Sequence, residues 1–249
     1  MCISKNISER AALMVARSYV DAIRSNELEL DDEVTFDREK MALFMCAYAR
    51  SVGSQQSVQG LLSDISSSGS FMFSDKTAYS YHKFLRRIFA IEDMAAWNVN
   101  LRSKTAIRSA DTRYFSDPSI AAASLGLGPN DLIGDLRTFG FIFENLCMRD
   151  LRAYCGANEG KVFHYRDKTN LECDAVIHLL NGKYGLVEIK LGGKEAIDHG
   201  AATLHKLAAK IDEHKMGKPS FLMVLIGVGS YAYRREDNVL VVPISTLGA

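Results

Sequence analysis

The stretch "LECDAVIHLLNGKYGLVEIKLGG", residues 171–193, constrains the second half of the chain more than any other segment. Two runs of alternating apolar and charged residues flank Asn181-Gly182, a dipeptide that favours a tight β-hairpin. Side chains on a strand point alternately to its two faces. Glu172, Asp174, Val176 and His178 therefore share one face of the first strand, and Glu188 shares a face with Lys190 on the second. A plain two-residue turn would put Asp174 across from Ile189, on the wrong face. A three-residue loop, Asn181-Gly182-Lys183, would pair Leu180 with Tyr184 and set Asp174 opposite Lys190. An odd-length loop or a bulge is thus the condition for Asp174, Glu188 and Lys190 to meet.

The acidic-x-Lys pattern carries little information by itself. It occurs three times, as Glu159-Gly-Lys161, Glu188-Ile-Lys190 and Glu213-His-Lys215, and only the second lies in an apolar strand. One reading of that strand is a solvated face with a cross-strand ion pair to Asp174. The other is a cation site. Two carboxylates on adjacent strands suit Mg²⁺ or Mn²⁺, which binds through few protein oxygens and keeps places for water and phosphate. A neighbouring lysine would orient or activate water, or steady the transition state.

The rest of the chain sets the context. The 249 residues suffice for one large or two modest domains, and thirty basic residues balance thirty acidic ones. Five cysteines without a C-x-x-C pair and no leader-like start point to reduced thiols and a cytoplasmic protein. The apolar run 221–229 is too short to span a membrane. His199, His205 and His214 do not have the spacing of a metal site.

Amphipathic helices are predicted over the first third, one starting at Asp37 and another at Asp75. Three such helices match a helix-turn-helix layout, with residues 94–108 as a two-stranded wing. Lys76, Lys83, Arg86, Arg87, Arg102 and Lys104 there outnumber Glu92 and Asp93. Lys76, Lys83 and Arg87 are the candidate DNA contacts, and Arg166 is a further candidate for phosphate, or a salt-bridge partner of Asp167 or Glu172. Residues 114–135, punctuated by Pro118, Gly126, Gly128 and Pro129, read as a connector. The second half then runs helix, three strands, helix, strand, with a possible last strand. The expected organisation is a helical, winged-helix-like domain over 1–115 and an α/β (α+β) mixed-sheet domain over 116–249.

That α-β-β-β-α-β order, with Asp174 and Glu188-Ile-Lys190, resembles the PD-(D/E)XK nucleases. The resemblance implies Asp174 and Glu188 as metal ligands, Lys190 as a catalytic residue, and Glu144 in "FIFENL" as the acid many members carry on the preceding helix. Cys173 stands where the family's proline would be. A wider resemblance, carried by "RYFSDPSIAAASLGL", "GFIFENLCMRDLRAY" and residues 163–192, is to ATP-binding proteins of the domain-of-unknown-function 4143 type. In those a P-loop ATPase module precedes a winged-helix segment and a nuclease-like domain. This chain has no G-x-x-x-x-G-K-[ST] loop, so no ATP site is expected in it. Two functions follow as expectations. One is Mg²⁺-dependent hydrolysis of DNA. The other is a catalytically inactive module that binds DNA or protein and regulates an ATPase.

Overall fold

Side-chain caps fix where the N-terminal helices begin. In the computed structural model, which describes residues 8–25, 37–67, 74–98 and 110–247, Ser8 caps α1 (Glu9–Arg24), Asp37 caps α2 (Arg38–Arg50) and Ser74 caps α4 (Asp75–Arg87). Each accepts a backbone N–H of the first turn that has no partner inside the helix. Helix α3 (Val58–Ser67) lies between the last two. The chain divides into two compact units, Met1–Asp93 with Thr112–Asn145, and Met94–Asp111 with Leu146–Ala249. The expected boundary near residue 116 falls inside the first of these.

Within the first unit α2 is central. It packs against α1, α3, α4 and one further helix, and it buries Met41, Phe44, Met45, Ala47, Tyr48 and Ala49. That further helix is α5 (Pro118–Leu125), which lies in the stretch expected to be a connector; α6 (Pro129–Gly134) follows it. Asp117 caps α5, Pro118 fills a first-turn position where its missing N–H costs nothing, and Gly126 closes the helix at φ 72°. Proline and glycine here punctuate a short helix instead of replacing one. Beneath α2 and α4 lies a buried polar group. The Asp93 carboxylate accepts from Tyr48, and it pairs with His82 at 2.8 Å and with Arg113 at 2.6 Å.

Helix α7 (Leu136–Ala157) leads into the second unit. There β1 (Gly160–Arg166), β2 (Glu172–Leu179), β3 (Tyr184–Lys190), β4 (Phe221–Ile226), β5 (Tyr233–Arg234) and β6 (Leu240–Pro243) form one mixed sheet in the order β1-β2-β3-β4-β6-β5. The first two pairings are antiparallel, and β3, β4 and β6 run parallel. Helix α8 (Lys194–Lys210) links β3 to β4 and covers β2, β3 and β4. Its Ile197, Ala201, Leu204 and Leu207 join Val176, Tyr184, Leu186, Val224 and Val241 in the core. The expected single helix beyond 194 breaks at Ile211, and Asp212 caps the short α9 (Glu213–Met216). Of the expected wing, residues 99–108 lie outside the described residues. Residues 94–98 belong to the second unit, where Ala96 bridges His164 and the Trp97 ring packs 5.1 Å from that of Tyr184. Among the described residues no helix is long and apolar enough to cross a membrane.

The hairpin between β2 and β3 meets the parity condition. His178 pairs with Tyr184, and the Leu179 N–H donates to the Lys183 carbonyl. The loop is therefore three residues, Leu180-Asn181-Gly182, one position earlier than the expected loop. Gly182, at φ 80°, supplies the left-handed residue that such loops need in last place. Gly182→Ala should lower stability by about 1–2 kcal/mol, the cost of a left-handed L-residue. A urea midpoint equal to that of the wild type would contradict this turn geometry.

Candidate functional site

The register that follows from this loop puts Asp174 level with Glu188. Ala175 pairs with Val187, so Asp174 comes next to the Glu188 position and Lys190 lies two residues further on the same face. A β-bulge adds to this. Phe163 pairs with Val176 and Tyr165 with Cys173, which leaves Asp174 and Ala175 together opposite His164. Bulges bend a strand and redirect its side chains. Asp174 thus stands at a kink near the start of β2, at the same end of the sheet as the C-terminal ends of β3 and β4.

The three side chains meet. Lys190 Nζ lies 2.6 Å from Glu188 Oε2 and 3.3 Å from Asp174 Oδ2, and the backbone N–H of Ile189 donates to Asp174 Oδ2 at 2.7 Å. Glu188 is buried, at 4% exposure, on an interior strand under α8. The helix backbone comes close because residue 200 is glycine: a Cβ there would stand 3.4 Å from Glu188 Cβ and 3.3 Å from Val224. Burial and the nearby Asp174 carboxylate push the Glu188 carboxyl up to about 8, against the opposing pull of Lys190. Burial would lower the Lys190 ammonium, but the two carboxylates outweigh it and hold it above its ordinary value. Cys173 is fully buried beside them; burial and both acids raise its thiol.

The other sequence candidates belong to other elements of the fold. Glu144 belongs to the first unit, where its carboxylate accepts from Tyr114 and faces Gly53; a Cβ on Gly53 would come within 3.2 Å of both its oxygens. Arg166, at the end of β1, pairs with Glu172 at 3.0 Å and donates to Asn170. Lys76, Lys83 and Arg87 lie on α4 of the first unit at spacings of seven and four, and all three are exposed. Among the described residues, no group of three or more His, Cys, Asp or Glu side chains is placed to hold a metal ion. Gly200 was not among the residues expected from the sequence to build the site. A glycine inside the helical pattern "AIDHGAATL" is nonetheless a signal of close backbone approach.

Residues 2–131, more than half of the chain, match a family described as Domain of unknown function (DUF8612). The chain belongs to this family. Residues 139–247 match Domain of unknown function (DUF4143), the family whose C-terminal region the sequence resembles. The DUF8612 match covers α1–α5 and the start of α6, and the DUF4143 match covers most of α7 and the whole sheet. No curated protein and no solved structure matches the chain.

Proposed function

We propose that this protein is a metal-dependent phosphodiesterase acting on DNA, with a nuclease-like unit of the PD-(D/E)XK type behind a winged-helix-like one. The observation that carries this reading is the meeting of Asp174, Glu188 and Lys190 at one end of the sheet. The order α7-β1-β2-β3-α8-β4 supports it as well.

The donor set fits Mg²⁺ or Mn²⁺. Asp174 and Glu188 offer hard carboxylate oxygens, and both hydrogen bonds to Asp174 fall on Oδ2, leaving Oδ1 for a cation. When bound, such an ion supplies positive charge that offsets the negative charge building on a phosphodiester. Lys190 stays protonated through the neutral range, so its part is to donate to a phosphate oxygen or to hold the attacking water. Glu188 has to give up a proton before it can serve as a ligand. Glu144 enters this reading only as the helix acid that the resemblance implies. Lys76, Lys83 and Arg87 would hold the DNA backbone, as would Arg166 once released from Glu172.

The Lys190 contacts also favour a second reading, a catalytically inactive module that binds DNA or protein and regulates an ATPase. Its ammonium already bridges Asp174 and Glu188, and with Glu188 protonated the cluster has no net negative charge to attract an ion.

Calorimetric titration with Mn²⁺ separates the two. The active reading expects one ion per chain, at least about tenfold weaker binding in Asp174→Ala, and affinity that rises from pH 6 to pH 8 as Glu188 loses its proton. No saturable heat with the wild type would refute the hydrolytic reading.

A further inference from the structure

The loop after β4 leaves the sheet beside Lys190. Gly227 N–H donates to the Lys190 carbonyl at 3.2 Å, and Val228 N–H to that of Leu191 at 3.0 Å. Three large apolar side chains follow within six residues, all out in solvent: Val228 at 79% exposure, Tyr231 at 70% and Tyr233 at 41%. Single exposed apolar residues are ordinary, but here three lie within six residues. The two tyrosine rings lie together, centroids 6.0 Å apart with their planes inclined at 57°. From Val228 to Tyr231 the chain reaches at most about 10 Å, so Tyr231 lies toward the sheet end that carries Lys190, while Tyr233 is on the edge strand β5, with β6 and β4 between it and β3.

The base of the loop is held firmly. Gly229 packs so closely that a Cβ would stand 2.9 Å from Ile226 and Pro243. At the far end, Arg235 pairs with Asp198 on α8 and with Asp237. Arg234, between that anchor and Tyr233, is exposed. Two solvent-facing rings on an anchored loop, with the exposed Arg234 next along the chain, bring aromatic faces and a positive charge to one segment. Every base has a π-face, and these are the elements that hold single strands without reading their sequence. Paired bases in a duplex offer no such face.

We infer that Tyr231 and Tyr233 form a stacking platform for unpaired bases, so that the substrate is single-stranded nucleic acid or a single-stranded segment of DNA, held on the same sheet as the Lys190 cluster. This rests on the nucleic-acid part of the proposed function and narrows it.

Binding measured without cleavage tests it. Fluorescence anisotropy of a labelled single-stranded DNA oligonucleotide and of the matching duplex is read in EDTA. The wild type is compared with Tyr231→Leu/Tyr233→Leu and Tyr231→Phe/Tyr233→Phe. The leucine pair should weaken single-strand binding by roughly 10- to 100-fold and leave duplex binding nearly unchanged. The phenylalanine pair, which keeps both rings, should bind as the wild type does. Full single-strand affinity in the leucine pair would overturn the inference, as would an equal loss on duplex. Loss of self-association in the leucine pair, seen by sedimentation velocity with DNA binding unchanged, would make the patch a contact between copies and overturn it too. Cleavage assays on the same proteins keep the two ideas apart. DNA cleavage with tyrosine-independent binding removes the platform and leaves the hydrolytic reading. Tyrosine-dependent binding without cleavage in Mg²⁺ or Mn²⁺ does the reverse.

Discussion

Lys190→Ala and Glu188→Gln should each reduce metal-dependent DNA cleavage by at least about 100-fold, measured as nicking of a supercoiled plasmid, while circular dichroism shows the fold intact. Glu188→Gln keeps the shape of a buried side chain under Gly200 and removes only its ability to ionise and bind a cation, so a collapsed core cannot account for the loss. Lys190→Ala acts differently. It takes away the ammonium that lies 2.6 Å and 3.3 Å from the two carboxylates, and it leaves that space to a metal ion. Mn²⁺ should therefore bind this variant as tightly as the wild type, or more tightly, while cleavage fails. The double variant should be no slower than the worse single one, because groups that act as a unit are not additive. Undiminished cleavage in both variants would assign the activity to a contaminant.

How much of this site was legible depended on distance along the chain. The shared face of Asp174, Glu188 and Lys190 followed from alternation and a hairpin dipeptide, both local signals. The loop position was one residue off. A three-residue hairpin loop wants its left-handed glycine last, which makes the loop Leu180-Asn181-Gly182 and sets Asp174 level with Glu188. The bulge at Asp174 has no such signature, since it depends on how β1 pairs around His164.

Whether Glu188 faced water or the interior could not be read from its strand, because alternation permits both. Helix α8 decides it, by lying across β3 with Gly200 against the Glu188 Cβ. That contact joins residues twelve apart through a crossover and depends on the whole β3-α8-β4 unit. In the N-terminal half the error was one of interpretation. Asp117-Pro118 and Gly126 read as turn residues, yet a cap, a first-turn proline and a closing glycine are also the marks of a helix.

Asp93→Ala should cost about 3–5 kcal/mol of stability, because it strands a buried guanidinium without its counter-charge. By composition Asp93 was one of two acids set against a basic surface stretch. In the structure its side chain is 1% exposed and takes bonds from Tyr48, His82 and Arg113, while Arg113 also donates to the Gln56 carbonyl. Burial alone would raise the Asp93 carboxyl, but hydrogen bonds from His82 and Tyr48 and the Arg113 charge more than offset this and hold it below its ordinary value. The sign of the pH effect follows. A depressed carboxyl adds stability above its unfolded pKa, near 3.9, and loses that contribution as pH falls through the lower folded value. The gap in urea midpoint between the wild type and Asp93→Asn should therefore be widest near neutrality and narrow below about pH 4. A gap that stayed constant down to pH 3 would show that Asp93 is held in place by packing and not by its charge.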